Sequence, residues 1–145
     1  MARVIPELIC FRYNPGPRRT GNSIIGNPVE AKYGVSHEQI VDAYRTAAAR
    51  GAKVYLASMF VVPADLEEES ARLRSYCVRH SMTVALANFG GPSGGLAAGG
   101  GSAIWSEQGE LLVRLERSGS GVAIAVLEET GWRCVALELG ATGQR

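Results

Sequence analysis

Between Gly51 and Pro63 the chain carries Val54-Tyr55-Leu56-Ala57-Ser58-Met59-Phe60-Val61-Val62, an almost unbroken apolar run. The run is far shorter than the roughly 20 residues a membrane-spanning helix needs. It contains no charge, so it must be buried inside a folded domain. Its length and its Val, Tyr and Phe content read as a strand over Lys53–Val62, covered on both faces, which Pro63 ends. A strand of that kind needs partners beside it and layers above and below.

The flanking sequence supplies some of these. Ser36-His37-Glu38-Gln39 has the S-x-x-Q form of a capping box, and Ile40, Val41, Tyr44, Ala47 and Ala48 follow at helical spacing until Gly51 stops the helix. After Pro63, Asp65 with Glu68 offers a second N-cap, and Glu67, Glu68 and Glu69 suit the first turn of a helix running to about His80. Leu66, Leu73, Cys77 and His80 mark its apolar face. Thr83–Asn88 reads as the next strand, and a glycine-rich loop, Gly90–Gly101, follows it. Ser102–Ser106 and Glu110–Leu115 form a hairpin with Gly109 in the turn, and Gly121–Leu127 and Trp132–Leu137 alternate as two more strands. The expected fold is α/β, an α+β mixed sheet with helices on one face and the other face left for something else to cover.

Residues 1–34 are different in kind. Pro6, Pro15, Pro17 and Pro28 alternate with Gly16, Gly21, Gly26 and Gly34, which argues against long regular elements, although Glu7–Tyr13 could form a short strand. The chain therefore divides into an irregular leader, 1–34, and a domain, 35–145. With 15 basic against 14 acidic side chains, nothing recommends nucleic acid or an anionic membrane as partner. Pro6 and Glu7 interrupt any signal peptide, and three cysteines without paired spacing fit reduced thiols in a cytoplasm.

Four segments in order resemble one family. Gly51-Ala52-Lys53-Val54-Tyr55-Leu56-Ala57-Ser58 resembles the Gly-Ala strand of carbon–nitrogen hydrolases, the nitrilase superfamily. Ala71–His80 resembles their Arg-Ala-rich helix, Thr83-Val84-Ala85-Leu86-Ala87-Asn88 their strand ending in Ala-Asn, and Gly100-Gly101-Ser102-Ala103-Ile104 their Gly-x-Ser-x-Ile. The resemblance covers residues 51–127 and implies the C-terminal half of an αββα sandwich. It implies hydrolysis of a non-peptide amide or nitrile by a Cys nucleophile, a Glu base and a Lys that stabilises the oxyanion, with no cofactor. The partner implied is the small-molecule amide or nitrile itself, with a possible homo-oligomer.

The catalytic set is harder to place. The Glu and Lys belong to the family's N-terminal half, and no residue here sits in a matching motif, so the chain reads as truncated and inactive alone. Counting back from Ala52 by the family's spacing lands on Val35, which cannot attack a carbonyl. The candidate nucleophile is Cys10, in Ile9-Cys10-Phe11. Arg12 stands where the family has Asp, and an incidental thiol is the preferred reading. By the same resemblance Asn88 and Ser102 are the candidate substrate-pocket residues.

Other candidates have plainer readings. Cys77, mid-helix, and Cys134, in a strand, are small buried hydrophobes. His37 reads as exposed, and it and His80 lack a neighbouring Cys or His to complete a metal site. Gly91-Pro92-Ser93-Gly94-Gly95 has the G-x-S-x-G form but is followed by glycine rather than a helix, so it is no nucleophile elbow. Gly94–Gly101 lacks the Lys and helix of a phosphate loop and reads as a flexible pocket-mouth loop. Arg114, Glu116 and Arg117 read as a solvated charged edge. The alternative function is a non-catalytic interaction or oligomerisation module, built on the uncovered sheet face.

Overall fold

The computed structural model describes residues 37–139. Cys10, Val35 and Ser36 lie outside the described residues, as do the leader 1–34 and its possible strand. Helix α1, His37–Ala49, stops as expected at Gly51, whose amide donates to the Ala48 carbonyl at 2.9 Å with φ of +91°. Glycine takes that left-handed conformation without a Cβ clash. Residues from Ala48 onward form one compact unit, and the following elements belong to it.

Strand β1, Val54–Met59, leads to α2, Leu66–His80, and then to β2, Thr83–Asn88. β1 and β2 run parallel, with Val54 opposite Thr83 and Met59 opposite Asn88. β3, Ala103–Trp105, and β4, Leu111–Arg114, add antiparallel strands in the order β1-β2-β3-β4. The β3–β4 turn is the expected hairpin, with Gly109 donating to the Ser106 carbonyl and Ser106 to the Glu110 carbonyl, both at 2.9 Å. β5, Ser120–Glu128, and β6, Gly131–Leu139, make a separate two-stranded hairpin that lies against β4. The mixed α+β sheet expected from the sequence is present. No described helix is long and apolar enough to cross a membrane.

Helix α2 buries Leu66, Glu69, Ser70, Leu73 and Cys77, one stripe at helical spacing. Leu73 and Cys77 meet Ala57 of β1, Val84 and Leu86 of β2, and Ala103 and Trp105 of β3 in a single core, with Tyr55, Met59 and Tyr76 around it. Directly paired residues share a sheet face, so these strand residues all point to the helix side.

Three expectations need correction. β1 is shorter than Lys53–Val62 and is covered on one face only: Leu56 is 63% exposed and Val54 55%. It is an edge strand whose second face has no layer among the described residues. Asp65 occupies the N-cap of α2, but its backbone is helical and its side chain makes no capping bond. The cap geometry needs an extended backbone to swing the carboxylate over the first turn. Arg114 is half-buried rather than fully solvated; its guanidinium lies 5.8 Å from the centre of the Trp105 ring, and its Nε is buried. The exposed-edge reading holds for Arg117, which reaches Glu67 at 2.8 Å.

Candidate functional site

The carboxyl end of β2 is the busiest point of the structure. Asn88, the last residue of the strand, is buried. Its side-chain oxygen accepts the Val61 amide at 2.8 Å, and its Nδ2 donates to the Gly100 carbonyl at 2.8 Å and the Val61 carbonyl at 3.4 Å. One amide side chain thus ties the end of the apolar run to the far end of the glycine loop. This explains why β1 stops at Met59: the Val61 peptide is held by Asn88 instead of by a sheet ladder.

Ser102 completes the arrangement. Its hydroxyl accepts the Asn88 amide at 2.9 Å and donates to the Asn88 carbonyl at 3.1 Å. The two pocket residues expected from the sequence are therefore brought together, fourteen positions apart in the chain. Both have their polar atoms committed to backbone, which makes them positioning groups.

The glycine loop between them is tied at both ends, while residues 92–97 between the ties are exposed. The amides of Gly99, Gly100 and Gly101 donate to the carbonyls of Val61, Phe89 and Glu116, at 2.7, 3.1 and 3.1 Å, and Gly119 donates to Gly90 at 3.2 Å. Gly100 has φ of +53°, and a Cβ there would overlap the Arg117 backbone. Only glycine lets the two chain segments pass so closely. Ser93 of the G-x-S-x-G sequence is exposed in a small turn closed by Leu96 and is not followed by a helix.

Around this knot lies an open cavity of about 560 Å³. Its lining includes Asn88, Phe89, Gly100 and Ser102, together with two carboxylates, Glu116 and Glu138. The Glu138 carboxylate accepts the Glu116 amide at 2.9 Å, which fixes it over Gly121 of β5. Neither acid was expected from the sequence as a pocket residue. Glu138 had one signal: it falls in phase with Cys134 and Ala136 on the small-residue face of β6, where a charge needs a reason. Glu116 had none, since its position depends on how the hairpin meets β4.

No lining residue of this cavity is a Cys, His or Lys. The described wall offers no nucleophile; attack on a carbonyl carbon needs a thiol or other nucleophile from elsewhere. Cys77 is not that group. It is fully buried in the core, its thiol donates to the Leu73 carbonyl at 3.7 Å, and burial pushes its pKa up. Cys134 is a half-buried free thiol on β6.

No family model matches the chain, and a search of curated proteins finds no match. Among solved structures it is similar to the amidase from Nesterenkonia sp. AN1. A variant of that amidase with the acetamide moiety of fluoroacetamide added at its active-site cysteine matches at 26% identity and a TM-score of 0.46, over 68% of this chain and 32% of that one. A second variant, in complex with butyramide, matches at 26% identity and the same TM-score, over 69% of this chain and 33% of that one. A third, described as an amidase from the nitrilase superfamily, matches at 25% identity over 69% and 33%, again with a TM-score of 0.46. The chain thus spans about a third of the length of the amidases it matches.

Proposed function

We propose that this chain is the pocket-bearing C-terminal portion of a carbon–nitrogen hydrolase of the amidase kind, acting on a small non-peptide amide or nitrile. The observation that carries the reading is the Asn88–Ser102 knot. Two of the four family-like segments meet in it, the Ala-Asn strand through Asn88 and the Gly-x-Ser strand through Gly100 and Ser102, and the chain just past the Gly-Ala strand joins them through Val61. It lies beside a cavity at the carboxyl end of β2, where open sheets of this sort place ligands. In this reading 35–145 is the half-domain and 1–34 a leader. The described residues supply the pocket wall, and the Glu base and Lys cation belong to the family's N-terminal half, so that in this reading the chain does not turn over substrate alone. Cys10 is the one thiol outside the described residues and the nucleophile to be tested. Free thiols at Cys77 and Cys134 favour a reducing compartment, the cytoplasm.

The test combines binding and turnover. Butyramide, acetamide and a short nitrile are titrated into the full chain while backbone amide resonances and ammonia release are followed. Expected are shifts at Asn88, Gly100 and Ser102 without ammonia. Absence of any shift at saturating amide would remove the pocket reading. Ammonia release abolished by Cys10→Ala would place the nucleophile within this chain and overturn its inactivity. A second reading, a non-catalytic association module, is favoured by the outer face of the β5–β6 hairpin.

A further inference from the structure

The cavity beside the Asn88–Ser102 knot carries charge of one sign. Of its lining residues only Glu116 and Glu138 are charged, and no Arg, Lys or His joins them. Their placement follows from the way the β5–β6 hairpin meets the end of β4. The Glu116 peptide is held from both sides: its carbonyl accepts the Gly101 amide at 3.1 Å, and its amide donates to the Glu138 carboxylate at 2.9 Å. That bond uses one Glu138 oxygen. The other lies 3.0 Å from where a Cβ would stand on Gly121, so a bare glycine is what leaves room for the carboxylate in the wall. The neighbouring arginines are engaged elsewhere: Arg117 pairs with Glu67 of α2, Arg133 with Glu128, and Arg114 lies over Trp105. Among the described residues neither cavity carboxylate has a cationic partner. A third lining residue, Phe89, is 52% exposed and rests its ring against Phe60, with centroids 6.1 Å apart.

We propose, on the amide reading of the cavity, that it selects its substrate by charge: it takes small amides whose far end bears an ammonium group and rejects those that end in a carboxylate. Two carboxylates on one concave wall add their potentials, which draws in a cation and repels a further negative charge. Phe89 supplies the remaining element. Its exposed ring offers an apolar surface to the methylenes that link the two ends of such an amide, and its face attracts an ammonium group that passes over it. Glu116 and Glu138 are therefore specificity-determining residues, and the attack on the amide carbon is left to other groups. Both acids are open to solvent, so salt weakens their pull, and the pair should give a preference of about tenfold at low ionic strength.

Three amides of matched length test this: 4-aminobutanamide, pentanamide and succinamate, which end in an ammonium, a methyl and a carboxylate. Each is titrated into the full chain near about pH 7, where carboxylates and amine are both charged, and the amide resonances of Gly100, Ser102 and Gly121 are followed. The ammonium amide should bind about tenfold more tightly than pentanamide, and succinamate more weakly than either, with the differences closing at about 1 M salt. Glu138→Gln keeps an oxygen to accept the Glu116 amide and should cut the ammonium preference about threefold, as should Glu116→Gln. The salt series on the unaltered chain carries the test even if a variant fails to fold. Equal binding of pentanamide and 4-aminobutanamide, or a preference that persists in high salt and in both variants, overturns the charge selection and leaves the amide cavity standing. Absence of shifts with all three amides overturns both.

Discussion

Replacing Asn88 with alanine tests whether one side chain organises the site. The substitution strands two buried groups: the Val61 amide, in a residue only 1% exposed, and the Gly100 carbonyl. Each unsatisfied buried group costs about 1–3 kcal/mol, and water entering the vacated space offsets part of it, so the net loss is about 2–4 kcal/mol. For a unit of this size that lowers the Tm by roughly 10–20 °C. Urea unfolding followed by circular dichroism measures the loss, and hydrogen exchange locates it. The amides of Gly99, Gly100 and Gly101 should lose protection well before those of β2. Asn88→Asp adds a sign. The carboxylate can still accept the Val61 amide but faces two carbonyl oxygens, so folding favours its protonated form and raises its pKa above the unfolded value. Its stability is then retained at low pH and lost as pH rises, so the variant should lie closer to the unaltered chain near about pH 3 than at pH 7. A loss below about 0.5 kcal/mol with loop protection intact would refute the clamp, since surface substitutions cost as little.

Gly100→Ala should destabilise the chain by more than about 3 kcal/mol in urea titration, because positive φ and overlap with the Arg117 backbone act together. Gly51→Ala, with nothing near its Cβ, should cost only the conformational strain, about 1 kcal/mol. Leu73→Ala empties the core beneath α2 and should cost about 2–5 kcal/mol by the same measurement. Burial raises the Cys77 thiol above the ordinary value of 9.0. The unfolded chain therefore ionises first, and stability should fall as pH rises past that value, a decline absent in Cys77→Ala. Under native conditions an alkylating reagent should modify the Cys134 peptide and leave Cys77 intact until the chain unfolds.

Much of the element order was legible because local signals were strong. Gly51 and Pro63 bracket β1, the acidic first turn opens α2, and Gly109 marks the β3–β4 turn. The misread features are those that local pattern does not encode. A continuous apolar run looks the same whether both faces are covered or one face awaits a partner, so Leu56 was read as core and is exposed. The end of that run was misplaced because Asn88, distant in sequence, takes the Val61 peptide out of the ladder. Arg114 looked like an edge charge because alternation does not reveal an aromatic ring on the neighbouring strand. Asn88 and Ser102 stand out in the sequence only through the family-like segments; their shared hydrogen bonds appear only once β2 and β3 are paired. Glu116 and Glu138 were missed because the hairpin alone brings them to the cavity.

The parallel pairing of β1 with β2 also bears on the order in which the chain assembles. The β3–β4 and β5–β6 hairpins close over short turns, so each can form within microseconds of its own accord. β1 reaches β2 only across the whole of α2, and the entropy of closing that span is spent before a single parallel hydrogen bond forms. α2 must first present Leu73 and Cys77 as the surface on which both strands collect. The rate-setting ensemble expected from this topology is a helix holding two strands that do not yet hold one another. In that ensemble Leu73 is already half at work, so its truncation should slow refolding as well as hasten unfolding, whereas changes in the β5–β6 hairpin should register almost wholly in the unfolding limb.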